Sequence, residues 1–355
     1  MRIDLFCQVI DNYGDIGVCW RLARQLVAEH GCDVRLIVDD LGAARFVAPE
    51  IEPAAARQTL QGVEVVAWSA SAALVPFDAV IEAFACNPPA RYVAAMAQRS
   101  PKPVWINLEY LSAEAWVDDI HGMASAHQRL PLTKYFFCPG FTPASGGLIR
   151  ETSVRATCRD SGDTTGRDKS LLQGHTPRLS PQQLFVFAYP HAPVCALAQG
   201  FRAAGVPTTV TLAAPLTETS ADWQVATPVA QSRFDALLAG FDFLIVRGED
   251  SFVRAQWAAK PFLWHIYPTD DGAHLIKLDA WLDQYCVGLD AHTSKAYRAA
   301  SHAFNTVAIN GVQNAPYELL ARNSSALTAH AARWRDTLLQ QTDLATRLLK
   351  FIATR

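Results

Sequence analysis

Short, continuously apolar runs alternate with helix-patterned segments along this chain, and the series occurs twice. In the first half the apolar runs fall at 3–10, 33–38, 63–68, 79–84 and 104–108, and 16–29 carries helical apolar spacing. Runs that are apolar throughout, rather than at every second residue, suit parallel strands covered on both faces. A polar interruption follows at 155–183, with Arg159-Asp160-Ser161-Gly162-Asp163-Thr164-Thr165-Gly166-Arg167 at its centre. The spacing predicts a linker or mobile loop there. Then the alternation restarts. Strands are expected at 184–188, 208–212, 241–246 and 261–266, and helices at 192–203, 234–238, 250–258 and 273–282. The fold class is therefore α/β, with two similar halves.

Length agrees with this reading, because 355 residues make two medium domains. The boundaries implied are 1–183 and 184–335, with a C-terminal helix over 336–355. Residues 325–355 place Leu327, Ala331, Trp334, Leu338, Leu344, Leu348 and Ile352 at helical spacing. In a two-domain α/β protein such a helix is expected to cross back to the first domain. With 31 Lys and Arg against 34 Asp and Glu, the net charge is only −3. That excludes a general nucleic-acid coat as the main identity. Asp4 interrupts the first apolar run, so the start reads as a strand rather than a secretory signal. No apolar run reaches the ~18 residues needed to span a bilayer. The eight cysteines are scattered without a C-x-x-C pair, which predicts reduced thiols and a cytoplasmic protein.

Chemistry concentrates at two strand ends. The first strand runs into Asp11-Asn12-Tyr13-Gly14-Asp15-Ile16-Gly17 and then a helix. Ligands of open α/β sheets bind at this carboxyl end of the strands. A dinucleotide enzyme would place G-x-G-x-x-G here, whereas this loop offers two carboxylates. They repel a pyrophosphate and suit a cationic substrate. A helix N-terminus beside Asp15 favours its ionised form. The plainer alternative is that the loop only caps the helix.

The construction recurs in the second half, where a strand runs into Arg247-Gly248-Glu249-Asp250-Ser251-Phe252. Gly248 permits a tight turn. The helix start at Asp250 and Ser251 is suited to phosphate oxygens, and Arg247 adds a charge-assisted contact. Glu249 is out of place beside a diphosphate unless it holds Arg247, a sugar or a cationic acceptor. A capped helix with a surface ion pair is the alternative. Trp264-His265-Ile266-Tyr267-Pro268 closes a further strand, and Tyr189 ends the first strand of this half as one wall for a base. Carboxylates in one half and a phosphate-holding turn in the other fit a group transferase.

Six blocks in order carry a resemblance: the acidic loop, Trp105-Ile106-Asn107-Leu108-Glu109-Tyr110-Leu111-Ser112-Ala113-Glu114, Lys134-Tyr135-Phe136-Phe137-Cys138-Pro139-Gly140-Phe141, Gly146-Gly147-Leu148-Ile149-Arg150-Glu151, Arg247-Gly248-Glu249-Asp250-Ser251 and Trp264-His265-Ile266-Tyr267-Pro268. Together they resemble the bacterial protein-arginine rhamnosyltransferases that modify elongation factor P, over nearly the whole chain. The resemblance implies a cytoplasmic GT-B enzyme, with two facing Rossmann-like domains and an inter-domain cleft. It implies inverting, metal-independent transfer of rhamnose from dTDP-β-L-rhamnose to one arginine of elongation factor P. That modification activates the factor for ribosomes stalled at polyproline. No cofactor, nucleic acid or membrane is implied.

Asp15 then matches the general base, with Asp11 and Glu249 also catalytic. Arg247, Asp250 and Ser251 match the diphosphate contacts, Tyr189 and Gln231 the nucleoside contacts, and Gly14 is grouped with the donor-binding residues. One departure is visible: a Phe that stacks on thymine in the family is replaced by Pro228. Two other readings stay open on the residues alone. One is a nucleotide-sugar glycosyltransferase with another acceptor. The other is a non-catalytic nucleotide-binding module that docks a translation factor.

Overall fold

A computed structural model describes residues 1–11, 13–154, 181–306 and 314–355. Most of the polar stretch at 155–183 lies outside the described residues, as does Asn12 of the acidic loop. The chain divides into two compact units. One holds Met1–Arg150, Val229–Arg233 and Gln340–Arg355, the other Glu151–Pro228 and Phe234–Leu339.

The first unit is built on β1 (Arg2–Cys7), β2 (Asp33–Val38), β3 (Arg57–Leu60), β4 (Val63–Ala67), β5 (Ala79–Ala83), β6 (Val104–Leu108), β7 (Ala124–Ala126) and β8 (Thr133–Phe137). They form one sheet in the order β3-β4-β2-β1-β5-β6-β8-β7. Every neighbouring pair is parallel except the two edges, where β3 and β7 run antiparallel to β4 and β8. Without those edges the order is that of a Rossmann sheet, which winds outward from β1 one way and then from β5 the other. β1, β2 and β5 are buried at nearly every position, as continuous apolar runs require when helices cover both faces.

Helix α1 (Gly14–His30) covers one face through Ile16, Cys19, Trp20, Leu22, Ala23 and Leu26. It ends at Gly31, whose φ of 63° is the left-handed C-cap that favours glycine. The unit continues with α2 (Leu41–Val47), α3 (Ala90–Gln98) and α4 (Trp116–Ile120). Tyr92, Val93 and Met96 of α3 join the core on the opposite face, with Phe6, Val80 and Trp105.

The second unit carries β9 (Gln182–Val186), β10 (Thr208–Leu212), β11 (Gln224–Val225), β12 (Phe243–Arg247) and β13 (Phe262–His265), ordered β11-β10-β9-β12-β13. All neighbours are parallel. Its helices are α5 (Val194–Ala203), α6 (Phe234–Ala239), α7 (Asp250–Ala258), α8 (Ala273–Tyr285), α9 (Ala291–Asn305), α10 (Ala315–Arg322) and α11 (Ser324–Leu339). Trp264 stacks on Phe252 of α7 at 3.8 Å in an aromatic core with Trp281.

The C-terminal pattern over 325–355 is two helices rather than one. It breaks between α11 and α12 (Leu344–Ala353), where the Asp343 side chain accepts the Thr346 N–H and caps α12. Leu344, Ala345, Leu348 and Ile352 of α12 complete the core of the first unit beside α1. Among the described residues no helix is long and apolar enough to cross a membrane, and no disulfide links the seven described cysteines.

Candidate active site

Each sheet has one place where its strand order reverses, and the candidate residues gather at both. In open α/β sheets this switch point leaves a crevice beyond the strand ends, because the flanking crossovers depart to opposite faces. In the first unit it lies between β1 and β5. In the second it lies between β9 and β12.

At the first switch point, Asp15 sits in the opening turn of α1 and is only 2% exposed. Its Oδ2 accepts the backbone N–H groups of Ile10 (2.7 Å) and Asp11 (2.9 Å). Its Oδ1 accepts the Tyr110 hydroxyl at 3.0 Å. Asp15 is therefore no N-cap: Tyr13 holds that position, and the Asp15 carboxylate turns back to brace the loop. Asp11 is half-buried beside it. The Gly14 N–H donates to the Asp11 carbonyl at 2.6 Å, and a Cβ at Gly14 would stand 2.9 Å from Asp11 Oδ2. Glycine is what lets the Asp11 carboxylate lie against the turn. Gln231 falls in the Val229–Arg233 segment of this first unit, where its Nε2 donates to the Gly17 carbonyl of α1 at 2.7 Å.

At the second switch point, Arg247 ends β12. Its guanidinium lies over the rings of Phe187 (4.5 Å) and Tyr189 (4.9 Å) and donates to the Ala188 carbonyl at 3.3 Å. Stacking of this kind holds a cation without neutralising it. Gly248, at φ 62°, turns the chain into α7, and the Trp264 indole N–H clamps the Gly248 carbonyl at 2.8 Å. The Ser251 hydroxyl donates back to the Arg247 carbonyl. Glu249 occupies the N-cap position without a side-chain capping bond. Asp250 receives Arg254 Nε at 2.9 Å, and Arg254 also pairs with Asp235 at 2.7 Å. The buried Arg254 thus lies between two carboxylates and partly offsets the charge of Asp250 at the helix start.

His265 closes β13 and is buried. Its Nδ1 accepts the Tyr189 backbone N–H at 3.2 Å, and the two rings meet edge to face at 5.2 Å. Burial, with smaller contributions from Arg247 and His274, lowers its pKa to about 4, so the imidazole is neutral at pH 7. Sequence alone gives His265, Tyr110 and Phe187 no individual role. His265 and Phe187 hold the walls around Arg247. Tyr110 lies 95 residues from its partner Asp15. No spacing rule reaches that far.

Among the described residues no cluster of three or more His, Cys, Asp or Glu side chains has the arrangement to hold a metal ion. Two anion-and-cation poles remain: a braced carboxylate pair in one unit and a stacked arginine at a helix start in the other.

The fold as a whole is shared with a solved UDP-bound transferase from Siraitia grosvenorii, at a TM-score of 0.51 over 99% of both chains and 9% identity. The two Rossmann-like units have the GT-B fold, the architecture of one class of glycosyltransferases. A family model described as Elongation-Factor P (EF-P) rhamnosyltransferase EarP matches residues 3–353, and the chain belongs to this family. A protein-arginine rhamnosyltransferase of Pseudomonas aeruginosa is 40% identical, covering 99% of this chain and 98% of the relative. A solved structure described as the basis for EarP-mediated arginine glycosylation of translation elongation factor EF-P is 30% identical, with a TM-score of 0.62 over 99% of both chains.

Proposed function

We propose that this protein transfers rhamnose from dTDP-β-L-rhamnose to one arginine of elongation factor P, with inversion at the anomeric carbon and without a metal ion. The observation that carries the reading is the carboxylate pair Asp11 and Asp15 at the first switch point. A guanidinium is protonated at any physiological pH and is a poor nucleophile as such. Two carboxylates match its planar fork and orient one nitrogen. As that nitrogen forms its bond to the anomeric carbon, Asp15 takes the proton it releases. The bond from that carbon to the diphosphate breaks, and the electron pair leaves with dTDP. A single displacement of this kind inverts the centre.

The departing diphosphate gains negative charge. Arg247 and the helix start of α7 are suited to stabilise it, which is the task a metal would otherwise serve. Tyr189 and Gln231 are assigned to the nucleoside, with Pro228 in place of an aromatic stacker, and Glu249 to a sugar hydroxyl or the acceptor. The family's activity and the 30%-identical structure, solved for arginine glycosylation of elongation factor EF-P, support the acceptor. The cationic character of an arginine acceptor agrees with an acidic loop where a pyrophosphate-binding loop would be glycine-rich.

The test is the intact mass of elongation factor P after incubation with the protein and dTDP-rhamnose. The expected result is one added deoxyhexose on one arginine. Tight binding of the factor with no mass change would mean a non-catalytic docking module, and an adduct formed only from another nucleotide sugar would overturn the donor.

A further inference from the structure

The acidic loop does not hold Asp15 alone. Its Oδ1 is held from the far side of the switch point by Tyr110, which follows β6. The Tyr110 ring is fixed in turn by an unusual piece of backbone. Directly after β5, Phe84 and Ala85 both adopt left-handed backbone, at φ 57° and 54°. Non-glycine residues in that region are strained and persist only where their surroundings enforce them. Here the enforcement is visible. The Phe84 N–H donates to the Leu108 carbonyl at 2.7 Å, and the Ala85 N–H donates to Asn107 Oδ1 at 3.0 Å. Asn107 is 2% exposed, and its Nδ2 donates to Glu109. The turn delivers the Phe84 ring flat against Tyr110, with centroids 4.1 Å apart and planes 10° from parallel.

We propose that Tyr110 is a positioning residue for the reaction, holding Asp15 so that one carboxylate oxygen faces the incoming arginine. The inference rests on Asp15 being the base. Oδ2 already accepts two backbone N–H groups. Each carboxylate oxygen has two lone pairs, so Oδ1 is the oxygen assigned to the acceptor's proton. The Tyr110 hydroxyl takes one lone pair of Oδ1 and fixes the direction of the other. The strained turn at Phe84 and Ala85 serves as the rigid stop behind the ring. Preorganisation of this kind raises turnover without tightening substrate binding.

Tyr110→Phe keeps the ring and its stack on Phe84 and removes only the hydroxyl. Rhamnose transfer to elongation factor P is expected to lose about tenfold in kcat, the size of one hydrogen bond to a charged group. KM for the donor and for the factor should stay within about twofold. The thermal midpoint should fall by no more than about 4 °C, the size of one lost hydrogen bond in a chain of this length. An unchanged kcat overturns the proposal, and so does a loss that appears in KM or in the thermal midpoint instead. Asp15→Asn is measured alongside. If it is inactive while Tyr110→Phe turns over normally, the positioning role falls and the base stands. If Asp15→Asn is active, both fall.

Discussion

Two polar side chains at the strand ends show how burial decides what a residue does. Asp15 and His265 are both nearly inaccessible, and each takes backbone N–H groups from the loop it braces. The sequence marked Asp15 because a second acid, Asp11, stands four residues before it and Gly14 lies between them. It left His265 uncommitted, since a single histidine at the end of a strand has no signature. What it lacked was the partner, and Tyr189 lies 76 residues away. The neutral His265 has a consequence for stability. Its pKa is about 4 in the folded protein, against an ordinary value of 6.5. Between those values the unfolded chain binds more protons than the folded one, so stability must fall as pH drops from about 6.5 to about 4. The full contribution is on the order of 3 kcal/mol. Urea unfolding at pH 7 and pH 4.5 should therefore show a larger loss for the parent than for His265→Gln. Equal losses would mean that the imidazole is not held neutral.

Single residues also set the elements. Asp4 is the acid that breaks the first apolar run, and as a sequence feature it argued only against a signal peptide. In the fold it is fully buried and pairs with Arg35 of β2 through the Nε and Nη2 nitrogens, at 2.5 and 2.8 Å. It also accepts the Tyr92 hydroxyl of α3 and the Phe77 N–H. One carboxylate thus ties β1, β2, α3 and the approach to β5. Removing one partner of a buried pair costs about 3–5 kcal/mol, because the remaining charge stays buried without compensation. Arg35→Met should lower the free energy of unfolding by that amount in urea titration. A loss below about 1 kcal/mol would show that the Tyr92 and Phe77 donors alone satisfy the Asp4 carboxylate.

The parallel strands were legible because burial on both faces forces continuous apolar runs. The antiparallel edges were not: β7 is three exposed residues and β3 alternates between exposed and half-buried. The C-terminal helices merged in the sequence because their apolar spacing continues in nearly the same phase across 340–343. The break is set by the Asp343 cap, and α12 then packs on the first unit's core.

At the scale of the whole molecule, the two α/β halves read from the alternation are two Rossmann-like units, and the family is that of the EarP rhamnosyltransferases. The division follows packing rather than chain order. The first compact unit ends at Arg150 and takes back Val229–Arg233 and Gln340–Arg355, so Gln231 belongs with α1 rather than with the Arg247 turn. Sequence order alone does not show a short return of this kind. The net charge of −3 is a balance of opposites. Acids gather at the first unit's switch point, and Arg247 stands with the helix start at the second's. Each pole was visible as a motif, while the aromatic and backbone supports that aim it come from distant strands.

In the proposed reaction the braced carboxylate of Asp15 accepts the arginine's proton while Arg247 and its helix start hold the diphosphate. The most direct test is the rate of rhamnose transfer to elongation factor P by Asp15→Asn, with dTDP affinity measured on the same preparation. The dTDP affinity is expected within about twofold of the parent and transfer reduced about 10²–10⁴-fold, the range for losing a general base. Transfer near the parent rate would contradict the proposed reaction.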